Sequence, residues 1–139
     1  MTIGGETFAP IGQGAGLIGL PGDWPPPSWF IKSAAMTLLA IPAENAAEAV
    51  NLALHFINNV DIPIGVSSII SNGTKEYDHT QWIVVRDLTN KKYMFRTYNN
   101  LQLRSIDLTK LDLTKGGKIV IIPIEGGDEM IDITDQYNK

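Results

Sequence analysis

Residues 12–32 read GQGAGLIGLPGDWPPPSWFIK, and the reading of this stretch decides the rest. Five glycines (Gly12, Gly14, Gly16, Gly19, Gly22) and four prolines (Pro21, Pro25, Pro26, Pro27) fall inside it. Glycine opens left-handed backbone, and proline fixes φ while removing an N–H donor, so the path is expected to be a specific folded crossover. Asp23, Trp24 and Trp29 are set into that path, and Ser28 stands where a helix N-cap is expected after a proline run.

Gly14, Gly16 and Gly19 also spell G-x-G-x-x-G. A dinucleotide site needs a strand before that fingerprint, a helix opening at the last glycine and an acidic residue about twenty positions on. The prolines after Gly19 block such a helix, so no nucleotide is expected there, and no cofactor of any other kind is indicated.

Working outward, the chain has 139 residues, a net charge of -4 and 44% hydrophobic residues, which fits one soluble globular domain with a core. Its 11 Lys and Arg are scattered and outnumbered by 15 Asp and Glu. No basic stripe is available to neutralise phosphates, so nucleic acid is not an expected partner. No apolar run has membrane-spanning length and no signal segment is recognisable, so the expectation for the chain as written is the cytoplasm. There are no cysteines, which removes disulfides, thiolate metal sites and a cysteine nucleophile together. His55 and His79 are far apart in sequence, and a metal site is not expected.

Along the chain, a short strand is expected at residues 7–9 and a buried helix at residues 28–40, ending before Pro42. A second helix is expected over residues 43–59, because Ala46, Ala49, Val50, Ala53, Ile57 and Val60 recur at three- and four-residue spacing. Glu44 and Glu48 suit its N-terminal end, Asn58 and Asn59 its stop, and His55 lies at the rim of the stripe. Residues 61–70 read as extended and residues 71–78 as a polar loop, in which Asn72-Gly73-Thr74 happens to spell a glycosylation sequon. Strands are expected at residues 82–86, 93–98, 101–108 and 119–124, with a turn at residues 88–91 closing an antiparallel hairpin. The doubled DLTK at Asp107 and Asp112 is too short for a repeat, and residues 126–139 form an acidic tail. This order indicates an α+β fold, two helices packed on an antiparallel sheet. Strands such as WIVVR and IVIIPI are apolar on both faces, so a further covering layer is expected.

Two blocks carry a family resemblance. Residues 12–32 resemble the GQGxGLxGLPGDxxxxSRFxR segment of the choloylglycine hydrolase and penicillin V acylase family, the linear amide C–N hydrolases. Residues 79–108, HTQWIVVRDLTNKKYMFRTYNNLQLRSIDL, resemble that family's C-terminal hairpin, TQW followed by YYYRTYDNxQIxxVDL. The resemblance implies the C-terminal part of a four-layer αββα N-terminal-nucleophile hydrolase. In that family a cysteine freed by methionine removal attacks the amide with its own amine as base. That cysteine, its Arg and Asp neighbours and the oxyanion Asn residues are expected upstream of Met1.

Within the covered region, the family's remaining catalytic arginine falls in the S-R-F triplet, which here is Ser28, Trp29, Phe30. An indole donates one N–H and carries no charge, so it does not replace a guanidinium. Lys32 matches a different family position. No catalytic residue is therefore transferred to this chain, and Trp24 and Trp29 are kept as candidate substrate-binding residues in the wall of an apolar acyl pocket.

The resulting expectation is a C-terminal portion of an amide hydrolase, inactive alone. Its partner would be the N-terminal half of the same fold or a second copy, and its small molecule an acyl amide. A non-catalytic binding module retaining the acyl wall is the alternative. A Thr2 nucleophile exposed by methionine removal is disfavoured, because no base or oxyanion set accompanies it.

Overall fold

The computed structural model describes residues 2–3, 5–7, 19–114, 116–117, 119–124 and 126. The chain divides into two compact units, Met1–His79 and Thr80–Lys139, and each is described by itself. No described helix is long and apolar enough to cross a membrane.

The first unit opens with two short antiparallel strands, β1 (Thr2–Ile3) and β2 (Glu6–Thr7), reversing at Gly5 with φ 89°. The strand expected at residues 7–9 is thus met only at Thr7, and residues 8–9 lie outside the described residues. Helix α1 (Pro26–Leu39) starts two residues earlier than expected. Its N-cap is Pro25, not Ser28, with Pro26 and Pro27 in the first turn. The first-turn N–H groups have no helical acceptor, so proline loses nothing there and its fixed φ already suits the helix. Ser28 is instead inside the helix and buried, its N–H donating to Pro25 O at 2.9 Å. At the other end Ala40 turns extended, ψ 146°, two residues before Pro42.

Helix α2 (Ala46–Asn58) begins three residues later than expected, because Asn45 supplies the cap. Asn59 ends it, its Nδ2 donating to His55 O at 2.7 Å. The apolar stripe is only partly enclosed: Val50, Ala53, Ile57 and Val60 are half-buried, whereas Ala46 and Ala49 are exposed. Lys32 of α1 gives its ammonium to Asn59 O at 3.0 Å. A cation at a helix C-terminus meets the negative end of the dipole, so this contact ties the two helices at a favourable point.

Residues 71–78 correct the expectation of a polar loop. They form half of a hairpin in which β3 (Ser67–Ser71) pairs antiparallel with β4 (Thr74–Asp78), from Ser67↔Asp78 to Ser71↔Thr74. Asn72 and Gly73 take φ 51° and 78°, the geometry of the two-residue turn for which Asn-Gly is the strongest short signal. The sequon letters are the hairpin turn.

The second unit is a three-stranded antiparallel meander, β5 (Trp82–Asp87), β6 (Lys92–Thr97) and β7 (Asn100–Asp107), in that order. The turn at residues 88–91 closes its first hairpin as the sequence predicts, with Asp87 paired to Lys92. Asp87 holds the turn by accepting from the N–H of Asn90 at 2.9 Å and from its Nδ2 at 2.6 Å. The central strand β6 contributes to the core from both faces, since successive residues Met94 and Phe95 are both buried, with Ile83 of β5 beside them. On the Phe95 face, Arg104 lies over the Phe95 ring at 4.6 Å and Arg86 over Tyr93 at 5.7 Å. Both are cross-strand partners in the register.

After β7 the two DLT segments repeat the same side-chain hydrogen bonds, the first of them opening a 3-10 turn at Leu108–Lys110. Asp107 accepts from the N–H and hydroxyl of Thr109, and Asp112 from those of Thr114. The short repetition of sequence is a repetition of side-chain-capped turns. Residues 119–124 correct another expectation, because they form no strand. Periodicity identifies β-competent residues but not the neighbour that must supply hydrogen bonds. Ile119 and Ile121 remain 89% and 88% exposed, and the run is tethered at its end, where Arg104 Nη1 donates to Ile124 O at 3.1 Å.

Candidate functional site

The candidate site is the described part of the Gly/Pro stretch, residues 19–32, leading into α1. Gly19 takes φ 96°, a left-handed value that suits glycine. The chain then runs without regular structure until α1 begins at Pro26. No helix opens at Gly19, which fits the rejection of the dinucleotide reading, while Gly12, Gly14 and Gly16 lie outside the described residues.

Trp24 stands in the irregular run just before the three prolines and is half-buried. Trp29 stands in the first turn of α1, its N–H bonded to Pro25 O at 3.2 Å, and is also half-buried. The prolines fix the spacing between the two indoles by removing backbone freedom from residues 25–27. Asp23 is exposed beside Trp24, and Phe30 is exposed beside Trp29.

The Trp29 ring nitrogen is shielded from solvent and meets no hydrogen-bond acceptor among the described residues. An indole N–H is a donor only, and burial without an acceptor costs on the order of 1–3 kcal/mol. A neutral donor without a carbonyl or carboxylate to meet is what the triplet offers where the family sets an arginine. Lys32 does not stand in for that arginine, since its ammonium is spent on the end of α2. Ser28 is buried in the first turn. His55 is exposed on α2, and among the described residues no three His, Asp or Glu side chains converge in a group able to hold a metal ion.

Comparison with known proteins decides the family. The model of the linear amide C–N hydrolases, choloylglycine hydrolase family, matches residues 1–132. The chain belongs to this family. It is 33% identical over 113 residues to a bile salt hydrolase/transferase of Clostridium perfringens, covering 80% of this chain and 33% of that protein. It is 34% identical over 96 residues to an uncharacterized protein of Paramecium bursaria Chlorella virus 1, covering 68% of this chain and 34% of the relative. The chain therefore spans about a third of the length of the curated relatives it matches.

Solved structures agree. A mutant conjugated bile acid hydrolase from Clostridium perfringens matches with a TM-score of 0.70 at 28% identity, over 96% of this chain and 40% of that one. Penicillin V acylase from Agrobacterium tumefaciens matches with a TM-score of 0.60 at 29% identity, over 74% and 32% of the two chains. The two helices and antiparallel sheets are the α+β elements of that hydrolase fold, and the share covered is consistent with its C-terminal part.

Proposed function

We propose that this chain is the C-terminal portion of a linear amide C–N hydrolase and has no turnover by itself. The observation that carries this is chemical: the resemblance implies a cysteine nucleophile, and the 139 residues contain no cysteine. The partner in this reading is the N-terminal half of the same fold, which would bring the nucleophile, its amine base and the oxyanion donors. The apolar surface of the chain supports it. Phe30, Leu38 and Ile41 on and after α1 are 74%, 76% and 88% exposed, and Trp82 at the start of β5 is 57% exposed. Apolar area of this kind normally marks an interface.

Trp24 and Trp29 are assigned to the wall of the acyl pocket in the completed enzyme, where the substrate is an amide of an apolar acid. Conjugated bile salts and penicillin V are the probes suggested by the relatives. A non-catalytic binding module is the second reading, and Trp29 at the arginine position favours it, since apolar contact survives there while the charge does not.

The test mixes the purified chain with the separately expressed N-terminal half of a related hydrolase. The chain alone is expected to release no product from either probe, and the complex to gain amidase activity. A complex that forms and binds substrate but stays inactive selects the binding module. Turnover by the chain alone, lost in Thr2→Ala, overturns both.

A further inference from the structure

The second unit contains a cleft of about 500 Å³ between the β5–β6 turn and the turn that follows β7. Its wall is apolar where the two turns face each other: Leu88 from the first, Leu108 and Leu113 from the second, with the Tyr93 ring from β6. Leu88 and Leu113 are 82% and 73% exposed. A single exposed leucine means little, but here exposed leucines from separate turns line one concavity of ligand size.

The same cleft is lined by three cations, Arg86, Lys91 and Lys92, against one carboxylate, Asp87. That carboxylate already accepts two hydrogen bonds from Asn90. The neighbouring Asp107 is likewise engaged by Thr109 and lies 3.9 Å from Lys110. None of the three lining cations forms an ion pair within 4.0 Å among the described residues, and Arg86 rests over Tyr93. Lys92 lies opposite Asp87 and Asp107 in the register and is partly offset by their charge, so the cations the cleft offers beside its apolar wall are Arg86 and Lys91, in a chain whose net charge is -4.

We propose that this cleft binds an amphipathic organic anion, a carboxylate on an apolar chain or ring body. The apolar body lies against Leu88, Leu108 and Leu113, and the carboxylate meets Arg86 and Lys91. All of these residues belong to the second unit, so the site is complete without the family's nucleophile.

The test titrates the full chain with laurate, with dodecanol and with dodecylammonium, following backbone amides by NMR. Laurate is expected to saturate with shifts centred on Leu88, Tyr93, Leu108 and Leu113. Two screened charge contacts make dodecanol about tenfold weaker, and the ammonium weaker still. The Arg86→Gln, Lys91→Asn double variant is expected to bind laurate about tenfold less tightly. Asn is used at position 91 because its φ is 54° and Asn tolerates that region. Equal affinity for laurate and dodecanol, unchanged affinity in the double variant, or shifts spread over exposed apolar residues such as Ile69 and Ile70 overturns the proposal.

Discussion

Asn45 and Glu48 cap the start of α2 reciprocally. Asn45 Oδ1 accepts from the Glu48 N–H at 3.0 Å, and Asn45 Nδ2 donates to Glu48 Oε1 at 2.7 Å. The other carboxylate oxygen of Glu48 accepts from the Glu44 N–H at 3.0 Å. This satisfies a first-turn N–H and sets a negative charge at the positive end of the helix. Because no residue of α2 is fully buried, packing does not dominate its stability and the cap carries a larger share.

Asn45→Ala is therefore expected to destabilise the first unit by about 1 kcal/mol. The measurement is urea denaturation followed by far-ultraviolet circular dichroism. A midpoint unchanged with the slope also unchanged would mean that α2 is held by packing after all.

How far the fold was legible in the sequence depends on where the hydrogen-bond partner lies. The β5–β6 turn was legible because its strands, closing residues and partner are adjacent in sequence. The helix at residues 28–40 is legible in kind but not in its start, because the cap preference of Ser28 competes with the suitability of Pro26 and Pro27 for the first turn. The β3–β4 hairpin carries a local signal, Asn72-Gly73, but β4, TKEYD, is too polar to show a core face beside it. The run at 119–124 has strong β character, but no sequence pattern specifies a pairing partner. At the candidate site, sequence resemblance set Trp29 at an arginine position. That its indole N–H meets no acceptor among the described residues is a property of the packed structure alone.

The hairpin turn supplies the next prediction. Gly73 has φ 78° with open space around a would-be Cβ, so substitution there meets backbone strain and no side-chain clash. Gly73→Ala is expected to cost about 1 kcal/mol in hairpin stability, and Gly73→Asn less, because Asn tolerates left-handed backbone. Amide hydrogen exchange of Ile69 and Glu76, the hydrogen-bonded pair one step beyond Ile70↔Lys75 in the register, reads this directly. Equal protection in the Ala and Asn variants would exclude backbone strain as the cause.

Three aspartates make the second unit acid-sensitive. Hydrogen bonds from the Asn90 backbone and side chain hold Asp87 below the ordinary 3.8. Hydrogen bonds from the Thr109 hydroxyl and backbone N–H do the same for Asp107, and those from Thr114 for Asp112. A depressed carboxylate stabilises the fold at pH above its unfolded value, and that contribution is lost as pH falls through the folded value. The loss is thus expected below about pH 4, with nothing changing between pH 5 and 7 from these groups. Carbon-13 titration of the three carboxyl groups is expected to give midpoints below 3.8. Midpoints at or above it would mean that these turns open in solution.

Trp29 is expected to limit turnover when the N-terminal half of the fold is supplied. The family resemblance sets an arginine in the first turn of α1, where a guanidinium steadies charge at the nucleophile. The chain instead has a neutral indole whose N–H meets no acceptor among the described residues. Removing one charged contact to a reacting group costs on the order of 2–4 kcal/mol, roughly a hundredfold or more in rate. Trp29→Arg, combined with the N-terminal half of a related hydrolase, is therefore expected to raise kcat by about that factor. Trp29→Phe, which keeps an aromatic ring and removes the N–H, separates packing from donation. If Phe behaves as Trp while Arg restores turnover, the missing charge is the lesion. If the complex assembles with all three and arginine gains nothing, Trp29 is a packing residue under the Gly/Pro stretch and the lesion reading fails.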